Sequence, residues 1–388
     1  MDDQGAAAAD EEETLQYPFF TAGSNELLQA RVDIAQYSLP RAKARVETAM
    51  AKFGLGDPDD DDLAVKWQAG EFVLECSEIG DDRPLTGCSF SRDASMLAAS
   101  SWTGIITVWS TTPPAPGITK ILTLKAHTER ATDVAFSPVD NNLLASASAD
   151  NTAKLWKSSS AGGSLVTTFH GHTDRLARLA FHPSGKYLGT ASFDKTWRLW
   201  DVNTGTELLL QEGHSRGVYG VGFHPDGSLA ASCGLDSHAR VWDLRFGRLY
   251  CDLTGHVGPV LGVSFSPDGR LVATAGEDGF CRVWDLRTTG RMLYSIPAHK
   301  GLVSHVKFEP RDGCYLATSS YDTTAALWSA RDYRRIESLA GHESTVTGLD
   351  ISGDGQQIVT VSRDRTVKMW SRRSRSSSST RGDEMEMD

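Results

Sequence analysis

A tryptophan returns seven times along the chain, at Trp109, Trp156, Trp200, Trp242, Trp284, Trp328 and Trp370, with spacings of 47, 44, 42, 42, 44 and 42 residues. So short and regular an interval marks one supersecondary unit that buries its apolar face only by stacking on copies of itself. Six residues before every Trp but the first stands an aspartate: Asp150, Asp194, Asp236, Asp278, Asp322 and Asp364. Four residues earlier comes a hydroxyl, at Ser146, Thr190, Ser232, Thr274, Thr318 and Thr360. A histidine precedes each aspartate by 22 or 23 residues: His127, His172, His214, His256, His299 and His342.

Between histidine and hydroxyl each unit carries a short apolar run closed by turn residues, such as Phe181-His182-Pro183-Ser184-Gly185 and Phe265-Ser266-Pro267-Asp268-Gly269. Runs of that length with Pro and Gly at their ends are strands joined by tight turns. The 36 glycines and 14 prolines supply the turns, and 10 Trp, 14 Phe and 9 Tyr supply a core. Ser, His and Asp also build hydrolase triads. Six copies at the repeat period indicate a structural use instead, since catalysis needs one distinct constellation in a pocket. No phosphate-cradling G-x-x-x-x-G-K-[ST] loop or metal-spaced cluster occurs, so neither an enzyme nor a cofactor is expected.

These residues resemble the WD-repeat family, whose paired signatures stand here as Gly213-His214 with Trp242-Asp243 and Gly255-His256 with Trp284-Asp285. The resemblance implies an all-β, seven-bladed WD40 β-propeller, preceded by a short α-helical N-terminal segment. It also implies that His, Ser/Thr, Asp and Trp of each repeat form one buried hydrogen-bonded chain. Each such group is costly to bury alone and inexpensive when satisfied by the others. The first unit departs from the pattern, with Asp81, Ala99 and Thr103 where His, hydroxyl and Asp belong, so blade one is expected to be the least protected.

The sequence divides into an acidic N-terminus over 1–16, a helical segment over 17–54, an acidic linker over 55–71, the propeller over 72–370 and a Ser/Arg tail over 371–388. After Trp370 no apolar strand follows, so the last blade is expected to borrow Phe72–Ser77. A helix over Leu63–Leu74 is the competing reading. Ser24 caps a first helix, Pro40 is expected to divide it from a second, and Gly54 ends that one. Two such short helices have no core of their own, so they pack on the ring or dock on a partner.

Charge is uneven: residues 1–62 hold 14 acids against 5 bases, the last 18 hold 4 of each, and the body between is nearly neutral. A general polyanion binder is therefore not expected, and any nucleic-acid contact should be local. Cys76, Cys88, Cys233, Cys251, Cys281 and Cys314 are scattered and read as reduced core thiols of a soluble intracellular chain.

Outside the repeat grammar, Tyr37-Ser38-Leu39-Pro40-Arg41-Ala42, Ile79-Gly80-Asp81-Asp82-Arg83-Pro84, Trp197-Arg198-Leu199-Trp200-Asp201 and Val306-Lys307-Phe308-Glu309-Pro310 carry a narrower resemblance. They look like the WD-repeat component of the U4/U6 small nuclear ribonucleoprotein, the pre-mRNA-processing factor four type. That resemblance implies a nuclear scaffold of the U4/U6 and U4/U6.U5 particles supporting spliceosome assembly. Its partners would be snRNP proteins, notably the pre-mRNA-processing factor three type, with the U4/U6 snRNA bound directly or lying nearby. Family members carry a splicing-factor motif N-terminal to the Tyr-Ser-Leu-Pro helices, whereas this chain begins almost immediately before them. Contacts made through that part, including docking of a cyclophilin, are left open.

Two surfaces follow as candidates. The residues before the turn aspartates should sit at exposed turn tips, giving a protein-binding rim of Trp102, Phe193, Leu235, Tyr321 and Arg363, with Ala149 and Glu277 at the remaining positions. Blade three gathers Arg175, Arg178, Lys186, Lys195 and Arg198 beside Trp197, a candidate RNA-contacting patch against the alternative of a solvated charged face. Trp242-Asp243-Leu244-Arg245 and Trp284-Asp285-Leu286-Arg287 also resemble the W-D-x-R boxes of substrate receptors for cullin-four ubiquitin ligases, which is the alternative function.

Overall fold

A computed structural model describes residues 23–55, 70–111, 117–159 and 162–374. The acidic N-terminus, most of the linker and the tail after Ser374 lie outside the described residues. The strands form seven four-stranded antiparallel sheets, six of them built from consecutive strands. Second strands such as Met96–Ser101, Leu143–Ser148 and Leu229–Gly234 are rich in Ala and Ser and almost wholly buried. Their small side chains let neighbouring sheets approach on both faces.

The seventh sheet joins the chain ends. It orders Val346–Ile351, Gln357–Ser362 and Thr366–Ser374, then adds Gly70–Ile79 as its outer strand. Leu74 stands opposite Trp370 and Ile79 opposite Thr366. The helix alternative over Leu63–Leu74 fails from Gly70 onward, because Phe72 is drawn into the ring. Its aromatic ring packs edge-on to Tyr315 at 6.1 Å, and its N–H donates to Glu337 at 3.0 Å. The last strand runs past the expected end at residue 370 because Gly70–Val73 pair with Ser371–Ser374.

The turns between first and second strands, such as His182–Gly185, make one face of the ring, called here the lower face. The turns holding the aspartates, between second and third strands, make the upper face. A single helix, α1 (Asn25–Leu55), lies against the lower face. Two helices divided at Pro40 were expected, but Pro40 sits inside a continuous one. Pro40 and Gln36 are both exposed, so the Gln36 carbonyl that loses its N–H partner faces water, and Arg41 supplies a donor to the Tyr37 carbonyl at 3.4 Å.

The choice between packing and docking resolves for one face of α1. Leu27, Ala30 and Ile34 are buried in a cluster with Tyr187, Leu208 and Leu244 of blades three and four. Tyr37 meets the His182 ring at 5.7 Å, and Arg45 reaches Asp226 at 3.3 Å and the Asp268 carbonyl at 3.3 Å. No described helix is long and apolar enough to cross a membrane.

Candidate functional site: a polar ring and the rim it supports

The repeated polar residues meet inside each blade from two to seven. In blade two, Trp156 Nε1 donates to Ser146 Oγ at 3.1 Å, Ser146 meets His127 Nε2 at 2.8 Å, and His127 Nδ1 meets Asp150 at 2.8 Å. Blade three repeats this through Trp200, Thr190, His172 and Asp194 at 2.8, 2.8 and 2.7 Å. Blade four uses Trp242, Ser232, His214 and Asp236 at 2.9, 2.8 and 3.0 Å. Blade five uses Trp284, Thr274, His256 and Asp278 at 2.9, 2.8 and 3.2 Å. Trp328, Thr318, His299 and Asp322 close blade six at 2.9 Å throughout. Trp370, Thr360, His342 and Asp364 close blade seven at 3.0, 2.8 and 2.8 Å.

Hydrogen-bonding capacity fixes the direction of each chain. The indole can only donate, so the hydroxyl accepts from it and passes its own proton toward Nε2; the imidazole is then neutral, with its N–H on Nδ1 donating to the carboxylate. Burial alone would raise the Asp150, Asp194, Asp236 and Asp278 carboxyls, but these hydrogen bonds hold them well below the usual carboxylate range. Burial lowers His214, His256, His299 and His342, opposed by their aspartates. These are terms of stability, and every polar atom in the chain is already engaged by another.

The aspartates also shape the upper turns. The residue after each one takes a left-handed φ, from 64° at Asn151 to 78° at Gly279, and Lys195 occupies that place in blade three at 73°. In blades two, three, six and seven a threonine two residues on, such as Thr152 at 2.6 Å from Asp150, closes the turn. In blades four and five Arg240 and Arg282 reach Asp236 and Asp278 at 3.1 and 2.6 Å. Blade one has a reduced version, in which the Thr103 hydroxyl donates to Asp81 and Ala99 is fully buried in place of the hydroxyl.

The rim residues separate into two groups. Trp102, Tyr321 and Arg363 come together across blades one, six and seven. The Arg363 guanidinium lies 5.6 Å from the Trp102 ring and 5.0 Å from the Tyr321 ring, and it donates to the Tyr321 hydroxyl at 3.2 Å. Arg130 of blade two stands 5.9 Å from the other rings' neighbour, Trp102, which is 40% exposed. Phe193 is half-buried, edge-on to Tyr219 at 6.3 Å and stacked with Arg175 at 3.9 Å. Leu235 is half-buried in its own turn.

The blade-three patch does not assemble. Lys186 and Lys195 are exposed but stand at opposite ends of the strand Tyr187–Ser192. Arg178 faces the ring axis, where it donates to the Ser304 carbonyl at 3.0 Å and the Thr347 carbonyl at 3.4 Å. Arg198 is buried with Asp194 at 3.9 Å and Glu207 at 2.5 Å, and Trp197 is wholly buried. Clustering in sequence misled because side chains of a strand alternate faces and a turn residue sits a strand's length from the next turn. Arg175, over Phe193, and Lys195, in the turn that follows it, stay on the upper face.

Other residues escaped the repeat pattern. His182 and His224 replace the turn serines Ser137 and Ser266, and their Nε2 groups donate to the Gly227 and Gly269 carbonyls of the next blade, both at 2.9 Å. Phe181-His182-Pro183 and Phe223-His224-Pro225 were the available signal, beside Phe136-Ser137-Pro138 and Phe265-Ser266-Pro267. Asp133 and Asp350 accept the Leu179 and Phe90 N–H groups of adjoining blades at 3.1 and 2.7 Å. These contacts border an axial cavity of about 750 Å³ among the inner strands of all seven blades.

The WD domain, G-beta repeat family matches residues 74–110, 118–157, 163–201, 205–243, 247–285, 290–329 and 333–371, the same seven units as the sheets. The likeness extends outside them. The U4/U6 small nuclear ribonucleoprotein PRP4 of Saccharomyces cerevisiae is 46% identical over 360 residues, covering 91% of this chain and 77% of that protein. The chain belongs to the PRP4 family of WD-repeat proteins. The U4/U6 small nuclear ribonucleoprotein PRP4-like protein of Arabidopsis thaliana is 55% identical over 365 residues, 93% of this chain. This chain spans 64% of that plant relative's length. Human U4/U6 small nuclear ribonucleoprotein Prp4 is 44% identical over 139 residues, 35% of this chain.

Family membership also bears on the W-D-x-R boxes. Arg245 turns back on Asp243 with contacts of 3.1 and 2.7 Å, and Arg287 on Asp285 with the same pair of distances. Both arginines are thereby engaged by their own boxes, and the cullin-four receptor reading is not favoured.

Proposed function

We propose that this chain is a non-enzymatic scaffold of the U4/U6 and U4/U6.U5 particles in the nucleus, supporting spliceosome assembly and pre-mRNA splicing. The observation that carries the reading is the extent of the likeness: 55% identity over 93% of the chain reaches beyond any one repeat, toward a relative named for the U4/U6 particle. In this reading the upper face takes a snRNP protein, of the pre-mRNA-processing factor three type, and the U4/U6 snRNA is bound or lies nearby. Trp102, Tyr321 and Arg363 are the anchors, since Trp, Tyr and Arg dominate binding energy where they cluster. Arg130, Arg175 and Arg363 form no ion pair with a carboxylate among the described residues, so their charge is free for a partner.

Purification of the tagged full chain, followed by sequencing of the RNA that comes with it, tests the reading. U4 and U6 snRNA should be enriched together with snRNP proteins. A cullin adaptor recovered without either RNA would overturn the particle assignment in favour of a ligase receptor.

A further inference from the structure

On the upper face, the exposed indole of blade one stands between arginines of both neighbouring blades. Arg363 of blade seven lies 5.6 Å from the Trp102 ring, and Arg130 of blade two lies 5.9 Å from it. Two more arginines leave the same group of loops. Arg83 precedes Pro84, whose carbonyl accepts the Trp102 N–H at 3.0 Å, and the Arg365 carbonyl accepts the Gly80 N–H at 2.9 Å. Arg83, Arg363 and Arg365 are exposed and Arg130 is half-buried. None of the four makes an ion pair among the described residues. Asp82, Glu129 and Glu343 stand exposed in the adjoining loops, and Asp81 is engaged by the Thr103 hydroxyl.

The chemistry of these groups narrows the ligand. A guanidinium lying over an aromatic ring keeps its N–H edge for acceptors in its own plane. Arg363 gives one such N–H to the Tyr321 hydroxyl at 3.2 Å and has others left. A carboxylate between two guanidiniums leaves one positive charge unmatched, whereas a phosphate monoester carries about −1.5 to −2 at neutral pH and three acceptor oxygens. A nucleic-acid strand suits this face less well. Its charge extends along a path, and exposed Asp82, Glu129, Asp174, Glu277 and Glu343 interrupt the basic residues around the ring.

We propose that the upper face between blades seven, one and two recognises a phosphorylated serine or threonine in a segment of a protein partner. The phosphate accepts from Arg130 and Arg363, and an apolar residue beside it rests on the Trp102 and Tyr321 rings. The inference rests on the upper face as the partner-binding face, and it adds the chemical state in which that partner is held.

Binding of a degenerate peptide library to the purified full chain tests it, with the central position fixed as phosphoserine, serine or glutamate in matched pools. The phosphoserine pool should bind at least about tenfold more tightly than the serine pool and several-fold more tightly than the glutamate pool. Arg130→Gln with Arg363→Gln should abolish that preference at an unchanged melting temperature, since neither side chain supports a clamp. Arg175→Gln with Arg216→Gln, on other loops of the same face, should preserve it. Equal binding of the phosphoserine pool and either other pool would overturn the proposal, as would tighter binding of a single-stranded oligouridine of matched length. Phosphatase treatment of a cell extract separates this result from the wider reading of the face, because partner recovery should then fall at least about tenfold. Recovery that survives phosphatase but is lost with Trp102→Ala and Tyr321→Ala would retain the face and remove the phosphate. Recovery unaffected by either change would remove both.

Discussion

At the scale of single residues the chain depends on polar groups that are stable only together. Removing the His256 ring by His256→Ala leaves the Thr274 hydroxyl and the Asp278 carboxylate without their central partner. The loss should be about 1–3 kcal/mol, read as a lowered urea midpoint, and Thr274→Val should cost a similar amount. No change in midpoint for either would mean that water replaces the histidine at no cost. The same groups set an acid limit. Unfolded histidines take up protons near pH 6.5, while burial keeps His214, His256, His299 and His342 neutral to lower pH. The unfolded chain therefore binds more protons below pH 6.5, and stability falls as pH falls. Asp133 acts in the opposite sense, because burial raises its carboxyl to about 6, so between about pH 4 and 6 the folded state is the one that holds the proton. Asp133→Asn keeps an acceptor for the Leu179 N–H and removes this opposing slope. Urea midpoints measured from pH 7 to 4.5 should then drop more steeply than in the parent, and a shallower drop would contradict the assignment. The clamp residues were legible in the sequence because they recur in register. Asp133 was not, since it departs from the repeat in one blade alone, and His182 and His224 recur only in the two adjacent blades three and four, too few copies to stand out as a period.

Among the elements, blade one and α1 differ most from what the repeat alone prescribes. Blade one keeps its tryptophan buried, but the polar chain behind it shrinks to the Asp81–Thr103 contact at the surface. Amide hydrogen exchange should find Met96–Ser101 less protected than the matching strands Leu143–Ser148 and Tyr187–Ser192. Installing the missing members as Asp81→His, Ala99→Ser and Thr103→Asp should slow that exchange and add roughly 1 kcal/mol. A triple variant that melts earlier would show that blade one has been repacked around its own solution. For α1, Ile34→Asp places a charge in the cluster with Tyr187 and Leu244, so the helix should leave the ring while the sheets stay folded. The expected signature is protease cleavage within residues 23–55 at an unchanged propeller melting temperature. The sequence suggested the helical composition of this segment but not its course, for two reasons visible in the residues. Pro40 removes one helical hydrogen bond and crowds the Gln36 carbonyl, and because that carbonyl faces water the helix continues through it. The segment also carries two apolar stripes, so periodicity alone could not tell the packed face from the exposed one.

For the whole molecule, the two faces of the ring carry different burdens. The lower face is occupied by α1 and by the His182 and His224 contacts between blades, whereas the upper face holds turns stiffened from within by the aspartates. Rigid turns lose little freedom on binding, so aromatic and guanidinium groups presented by them contribute more of their contact energy as affinity. Trp102, Tyr321 and Arg363 come from three different blades, and their mutual geometry exists only when the ring is closed by the Gly70–Ile79 strand. That dependence explains how seven weak units can present one site. It also gives the rim a clear test. Trp102→Ala with Tyr321→Ala removes two anchors that support no clamp, so the melting temperature should stay within a few degrees of the parent while recovery of the protein partner falls at least about tenfold. Glu277→Ala, at the equivalent turn of blade five, should leave recovery unchanged. Equal recovery from the double variant and the parent would move the partner off this face, and the U4 and U6 RNA recovered in the same purification would show whether the particle itself had been retained.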